Sequence, residues 1–210
     1  MKINERNKAM NKRVVVTGTG VISPVGNNTE DFRKNIIAGK NGIDKVTKFD
    51  TTDFKACLAG EVRDFDTSLY MDKSEARKLD HYSQYALAAA RQAADDSGII
   101  ENVAPERLGV YFGSGIGGFE TIVSEHTNLM NRGPKRVSPM FIPKMISNIA
   151  AGNIAIKYGA KGPCLSIVTA CATGSNCIGE AYRAIKGGYA DAIIAGGAEA
   201  SINPLGFAGF

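Results

Sequence analysis

Cys171 is the residue of this chain best placed for covalent chemistry. It lies in the stretch Lys161 to Gly188, KGPCLSIVTACATGSNCIGEAYRAIKGG. A turn at Gly162 and Pro163 leads into a short apolar run from Leu165 to Thr169, then small residues, then helical spacing. This pattern predicts a strand running directly into a helix, with Cys171 at the junction. The first amides of a helix lack intrahelical partners and carry about half a positive charge, which favours the nucleophilic thiolate. Ala170, Ala172, Thr173 and Gly174 are small, so a substrate carbonyl has room to reach the sulfur and the N–H groups beside it. Cysteine is also among the most often buried residue types, so position has to carry the argument. Cys164, at the strand entrance, and Cys177, about 240° further round the helix, do not share the terminus, and Cys177 is expected in a core. With no C-x-x-C pair in the chain, a zinc cage or a dithiol redox site is disfavoured.

The elements that would position this thiol alternate strand and helix. Val14 to Val16 reads as a buried strand ending at Gly18 and Gly20, and Asn28 or Thr29 caps a helix to Ile37. Lys45 to Met71 is irregular. Lys73 to Ser97 has one long helical periodicity stopped by Gly98. Leu108 to Phe112 is a strand, followed by glycines, a helix to Met130, and a loop from Arg132 to Pro143. Met145 to Tyr158 is an apolar helix leading to the Cys171 strand and helix, and Asp191 to Ala195 is the last strand. The predicted class is α/β, with a mostly parallel sheet covered on both faces.

At 44% apolar and 22% charged, the 210 residues read as one globular chain. The net charge of +4 is local: residues 1–13 hold five cations and one acid, which leaves 20 of each sign in the rest. No field for nucleic acid or an anionic membrane results. Met1 to Asn11 has no apolar core of a secretory leader, and no apolar run approaches the ~18 residues of a span. The expected compartment is the cytoplasm, with reduced cysteines.

Gly113, Gly115 and Gly118 match G-x-G-x-x-G after a strand, the form of a dinucleotide loop. The downstream residues argue against that role: where a second strand and its acid belong stands the Pro/Gly stretch Asn131 to Pro139. The plainer expectation is glycines that let the backbone turn or approach another segment. Lys73, Arg77 and Lys78 form a cationic patch, either a solvated face or a surface that steers an acidic partner, with Asp72, Glu75 and Asp80 weakening its field. The two histidines, His81 and His126, sit in polar helical surroundings and read as surface residues rather than partners of Cys171.

Thr169 to Gly174, the Gly-Gly-Ala-Glu of Gly196 to Glu199 and the Gly-Phe-Ala-Gly-Phe end resemble the active-site region of β-ketoacyl-[acyl-carrier-protein] synthases, and the likeness runs from Arg13 to Phe210. The resemblance implies a thiolase-like α/β fold, five αβαβα layers when complete, of which this chain supplies most of the N-terminal half. Residues 1–12 would be a disordered extension and 13–210 an incomplete domain. It implies that Cys171 accepts an acyl group from acyl carrier protein and that malonyl-acyl carrier protein then condenses with it. It further implies that Ile116 borders the acyl pocket, closed by Phe141 of the partner subunit in a homodimer, and that an isoleucine there marks the type II enzyme. Lys73, Arg77 and Lys78 would dock the carrier protein, and no metal or organic cofactor is implied. In the family the active-site histidines and lysine come from the C-terminal half, which would be supplied in cis or as a separate chain. Two alternatives stay open: an acyltransferase of the same fold acting on coenzyme A thioesters, and a non-catalytic partner subunit that sets chain length, although such subunits usually lack the cysteine.

Overall fold

A run of six buried residues, Leu108–Gly113, forms β3, the central strand of the sheet in this computed structural model, which describes residues 13–210. The extension expected over residues 1–12 lies outside the described residues. β3 is flanked in parallel by β4 (Cys164–Leu165) and β5 (Ala192–Gly197), with order β4–β3–β5. Val110 pairs with Cys164 and Ile194, and Gly113 with Gly197. A parallel ladder needs helical crossovers, and these cover both faces. Val110 and Phe112 pack against α3 (His81–Ser97) and α6 (Ile149–Tyr158), through Tyr82, Ala86, Leu87, Ala151 and Ile154. Tyr111, one residue out of phase, faces the opposite way onto Cys177, Ala181 and Ala184 of α7 (Thr173–Lys186). Thr173, Cys177, Ala181 and Ala184 are the buried stripe of α7, spaced as one helix face.

The remaining elements are α1 (Thr29–Ile37), a two-residue hairpin of β1 (Asp44–Lys45) and β2 (Leu58–Ala59), α2 (Lys73–Arg77), α4 (Phe119–Arg132), α5 (Phe141–Met145) and α8 (Pro204–Gly209). Asn28 caps α1 as expected: its side chain accepts from Asp31 N at 2.8 Å. Gly98 ends α3 with φ +59.

Five sequence expectations need correction. The long helix from Lys73 to Ser97 is two helices, because Asp72 and Asp80 each cap a start and the chain turns between them at Lys78 to Asp80. The helix placed from Met145 begins at Ile149, and the loop placed over Arg132 to Pro143 contains a 3-10 turn (Pro134–Arg136) and the start of α5. Pro143 sits in the first turn of α5, where a missing N–H costs no helical bond. The apolar run before Cys171 pairs only at Cys164–Leu165. Finally, Val14 to Val16 is not a buried strand: Val15 is 62% and Val16 78% exposed. The residues that follow, Gly18 to Val21, instead lie along α3, where Thr19 N donates to Asp96 Oδ2 and Val21 N to Gln92 Oε1, both at 3.0 Å. A Cβ on Gly20 would lie 1.9 Å from the Ala89 carbonyl oxygen, so only glycine allows this approach.

Candidate active site

The carboxyl ends of all three parallel strands point toward one turn, and Cys171 is on it. β4 leads through Ser166 to Thr169 into a 3-10 turn, Ala170–Ala172, and α7 begins at the next residue. β3 ends beneath it: a Cβ on Gly113 would lie 2.3 Å from the Ile167 carbonyl oxygen and 2.6 Å from Thr173 Cγ2. Crevices at the carboxyl ends of strands are where open α/β sheets bind ligands.

The turn is held in a conformation that ordinary sequence does not favour. Ala170 has φ +51, a left-handed value that costs a non-glycine residue roughly 1–3 kcal/mol. Hydrogen bonds on either side impose it. Thr169 N donates to Thr173 Oγ1 (2.9 Å), Ala172 N to the Thr169 carbonyl (3.1 Å), and Asn176 Nδ2 to Thr169 Oγ1 (2.6 Å). Cys171 is exposed and free, and no side chain caps the start of α7. Cys177 is fully buried with its thiol pKa pushed up by desolvation, and burial also raises that of Cys164, although part of this residue is exposed.

The glycine loop lies against this turn. A Cβ on Gly115 would lie 3.4 Å from Ala170 Cα and O, so the loop reaches the residue before Cys171. Ile116 is 37% exposed on the same loop. Gly118 N donates to the Met145 carbonyl at 2.9 Å, which ties the loop to α5, the helix that Phe141 opens half-buried. The structure thus brings the Ile116 loop to the Cys171 turn.

The basic patch is exposed: Lys73 begins α2, Arg77 ends it, and Lys78 comes next. The neighbouring acids are engaged elsewhere. Glu75 pairs with Lys157 at 3.1 Å, the Asp72 carboxylate accepts from Glu75 N at 2.8 Å, and Asp80 is buried. His81 pairs through Nδ1 with Glu120 Oε2 at 2.7 Å; that bond raises the His81 pKa and lowers that of Glu120. His126 is exposed on α4. Among the described residues neither histidine hydrogen-bonds to Cys171, and no group of His, Cys, Asp and Glu side chains could hold a metal ion. No helix of the described residues is long and apolar enough to cross a membrane.

Sequence reasoning missed Ser114 and Asn176, and read Thr173 only as a small residue and Asp80 only as a nearby acid, not as the hydrogen-bonding groups they are. Ser114, a lone hydroxyl set among glycines after a wholly apolar strand, was the one available signal.

Residues 11–210 match the family described as Beta-ketoacyl synthase, N-terminal domain. The chain belongs to the β-ketoacyl synthase family. Among its ketoacyl synthase relatives, 3-oxoacyl-[acyl-carrier-protein] synthase 2 of Staphylococcus aureus (strain COL) is 50% identical over 204 residues, which cover 96% of this chain and 49% of that protein. The protein of the same name from Synechocystis sp. is 46% identical over 200 residues, covering 95% and 48%. A solved structure of the ishigamide ketosynthase/chain length factor superposes with TM-score 0.85 at 31% identity, over 95% of this chain and 50% of that one. A type II polyketide ketosynthase, solved in complex with its acyl-carrier protein, superposes with TM-score 0.80 at 28% identity, covering 93% and 52%. The fold is therefore the N-terminal half of the ketosynthase, thiolase-like architecture, and the chain spans about half the length of the curated relatives it matches.

Proposed function

We propose that this chain carries the nucleophile half of a 3-oxoacyl-[acyl-carrier-protein] synthase of type II. One observation carries the reading: Cys171 is exposed on a strained turn that opens α7 at the carboxyl ends of three parallel strands. In the reaction, the Cys171 thiolate attacks the thioester carbonyl of an acyl group borne by acyl carrier protein. The tetrahedral intermediate is stabilised by backbone N–H groups, that of Cys171 among them, and collapses to expel the carrier thiolate. Loss of CO₂ from malonyl-acyl carrier protein leaves an enolate whose carbon attacks the Cys171 thioester. The cysteine departs as thiolate, and a 3-oxoacyl product two carbons longer remains on the carrier. Exposed Lys73, Arg77 and Lys78 suit an acidic carrier protein, and the Ile116 loop beside Ala170 suits the wall of an acyl pocket that Phe141 of the partner subunit closes in a homodimer. The 50% identity to a synthase 2 supports the subtype. A cytoplasmic location goes with this reading.

Enolate stabilisation needs donors that neither His81 nor His126 is placed to give, so the reading includes a C-terminal half, in cis or as a second chain. The sheet supports this. β5 has no strand on its outer edge among the described residues, and a cleft of ≈ 320 Å³ lies beside it, lined by Val21, Ala89, Phe112 and Gly197. An unpaired edge and exposed Val15 and Val16 are what an incomplete unit presents. Alone, the chain is expected to be inactive.

The test uses the assembly of both halves and radiolabelled acyl groups. Labelling from acyl carrier protein should exceed labelling from acyl coenzyme A, and the reverse preference would favour the coenzyme A alternative. Cys171→Ala should abolish acyl transfer; transfer that persists unchanged would refute the assignment and favour a non-catalytic partner role.

A further inference from the structure

Glu199 lies two residues beyond β5 and turns back across the carboxyl ends of the strands. Its Oε1 accepts from Ser114 Oγ at 3.0 Å, and its Oε2 from Gly115 N at 2.8 Å. Ser114 is buried, and its Oγ accepts in turn from Gly117 N at 2.8 Å. One carboxylate therefore fixes the loop at Ser114 and Gly115 directly, and at Gly117 through Ser114. The same loop also meets the Cys171 turn. A Cβ on Gly115 would lie 2.9 Å from Glu199 Oε2 and 3.4 Å from Ala170 Cα and O, so Gly115 packs against both the carboxylate and Ala170. Ala170 is the residue with φ +51 immediately before Cys171. A strained turn keeps its geometry only while its surroundings over-determine it. The partners are 84 and 85 residues apart in sequence, so this clamp exists only in the folded sheet.

We propose that Glu199 is a positioning residue, setting the Gly113 to Gly118 loop against the Ala170 turn so that Cys171 meets an acyl thioester in productive geometry. The proposal rests on the acyl-transfer reading of Cys171. It differs from simple stabilisation in what it requires of each reagent. A small electrophile needs only an exposed thiolate, whereas an acyl group must lie along the loop while its carbonyl meets the sulfur. Glutamine keeps one acceptor for Gly115 N and an amide group within reach of Ser114 Oγ, whereas alanine removes the clamp.

The experiment compares wild type, Glu199→Ala and Glu199→Gln in the two-half assembly. Hydrogen exchange of the Gly115 and Gly117 amides should rise at least about tenfold in Glu199→Ala, with Val110 in β3 unchanged. Acyl transfer to Cys171 should fall on the order of tenfold to a hundredfold, the scale for a reacting group displaced by about 1 Å. Alkylation of Cys171 by iodoacetamide should stay within about twofold, and Glu199→Gln should recover most of the acyl transfer. Unchanged exchange at Gly115 overturns the proposal, as does alkylation that falls in step with acyl transfer, or a glutamine variant no better than alanine. A wild-type assembly that accepts no acyl group overturns the acyl-transfer reading instead, and the Gly115 exchange result still decides for or against the clamp.

Discussion

Replacing Asp80 by alanine should uncouple the two helices that meet behind the Ile116 loop. Asp80 is 4% exposed, and each of its oxygens serves a different helix. Oδ1 accepts from Tyr82 N at 3.2 Å and caps α3; Oδ2 accepts from Thr121 N at 3.0 Å and Thr121 Oγ1 at 2.6 Å in the first turn of α4. Loss of an N-cap costs about 1 kcal/mol. Thr121 is buried, and each of its two donors left without a partner adds about 1–3 kcal/mol. These add to about 3–7 kcal/mol, and because more than 4–5 kcal/mol is exceptional for one substitution the lower part of that range, about 3–5 kcal/mol, is expected. Asparagine keeps one acceptor oxygen and should cost about half as much. Urea unfolding of the two-half assembly gives the first measure. Native-state exchange at the Thr121 amide gives the second, and it should quicken more than tenfold, since about 1.4 kcal/mol corresponds to a factor of ten. If Asp80→Ala unfolds within about 0.5 kcal/mol of wild type, the range of a surface change, this carboxylate is not the joint between the two helices.

The His81–Glu120 pair should make stability depend on pH. The bond raises the His81 pKa, so its contribution is full below the ordinary histidine value of about 6.5 and is lost as pH rises through the raised value. The Glu120 pKa is lowered, so its share is present above the ordinary glutamate value and is lost as pH falls through the lowered one. Lys48 and Asp80 also face His81, and Lys48 and Lys144 face Glu120. With side chains 46% and 44% exposed, the effect is about 0.2–1 kcal/mol, and Glu120→Gln should cost more at pH 5.5 than at pH 9 in chemical denaturation. Tyr82→Phe should cost about 1–2 kcal/mol, because the buried hydroxyl donates to the Ile146 carbonyl at 2.6 Å between α5 and α6. Burial holds the Tyr82 pKa at about 12, so this loss should be the same at pH 6 and pH 9 in unfolding curves.

The features legible in the sequence were local ones. Leu108 to Phe112 is apolar without interruption, as a strand buried on both faces must be, and it is the centre of the sheet. Asn28 and Gly98 mark helix ends because capping is a contact of a few residues. The break at Asp80 was hidden by the same logic. Apolar spacing continues across Leu79 and Tyr82, and nothing in the periodicity shows that the Asp80 side chain caps a new start. Val14 to Val16 has the composition of a buried strand, but burial needs a sheet to join, and among the described residues no strand pairs with it.

The same division runs through the site. That Cys171 stands where extended chain gives way to helix can be deduced from residue types read in order. That the turn is strained at Ala170, or that a carboxylate 84 residues from Gly115 holds the loop below it, cannot, because both depend on which strand ends the parallel sheet sets side by side. β3 and β5 run in register from Leu108 with Ala192 to Gly113 with Gly197, so the residues just beyond them, Ser114 and Glu199, emerge together at one edge. The Gly-Gly-Ala-Glu segment is therefore more than a family signature. Its glycines end the strand beside Gly113, and its glutamate closes the gap to the glycine loop, which makes the segment part of the frame around the thiol.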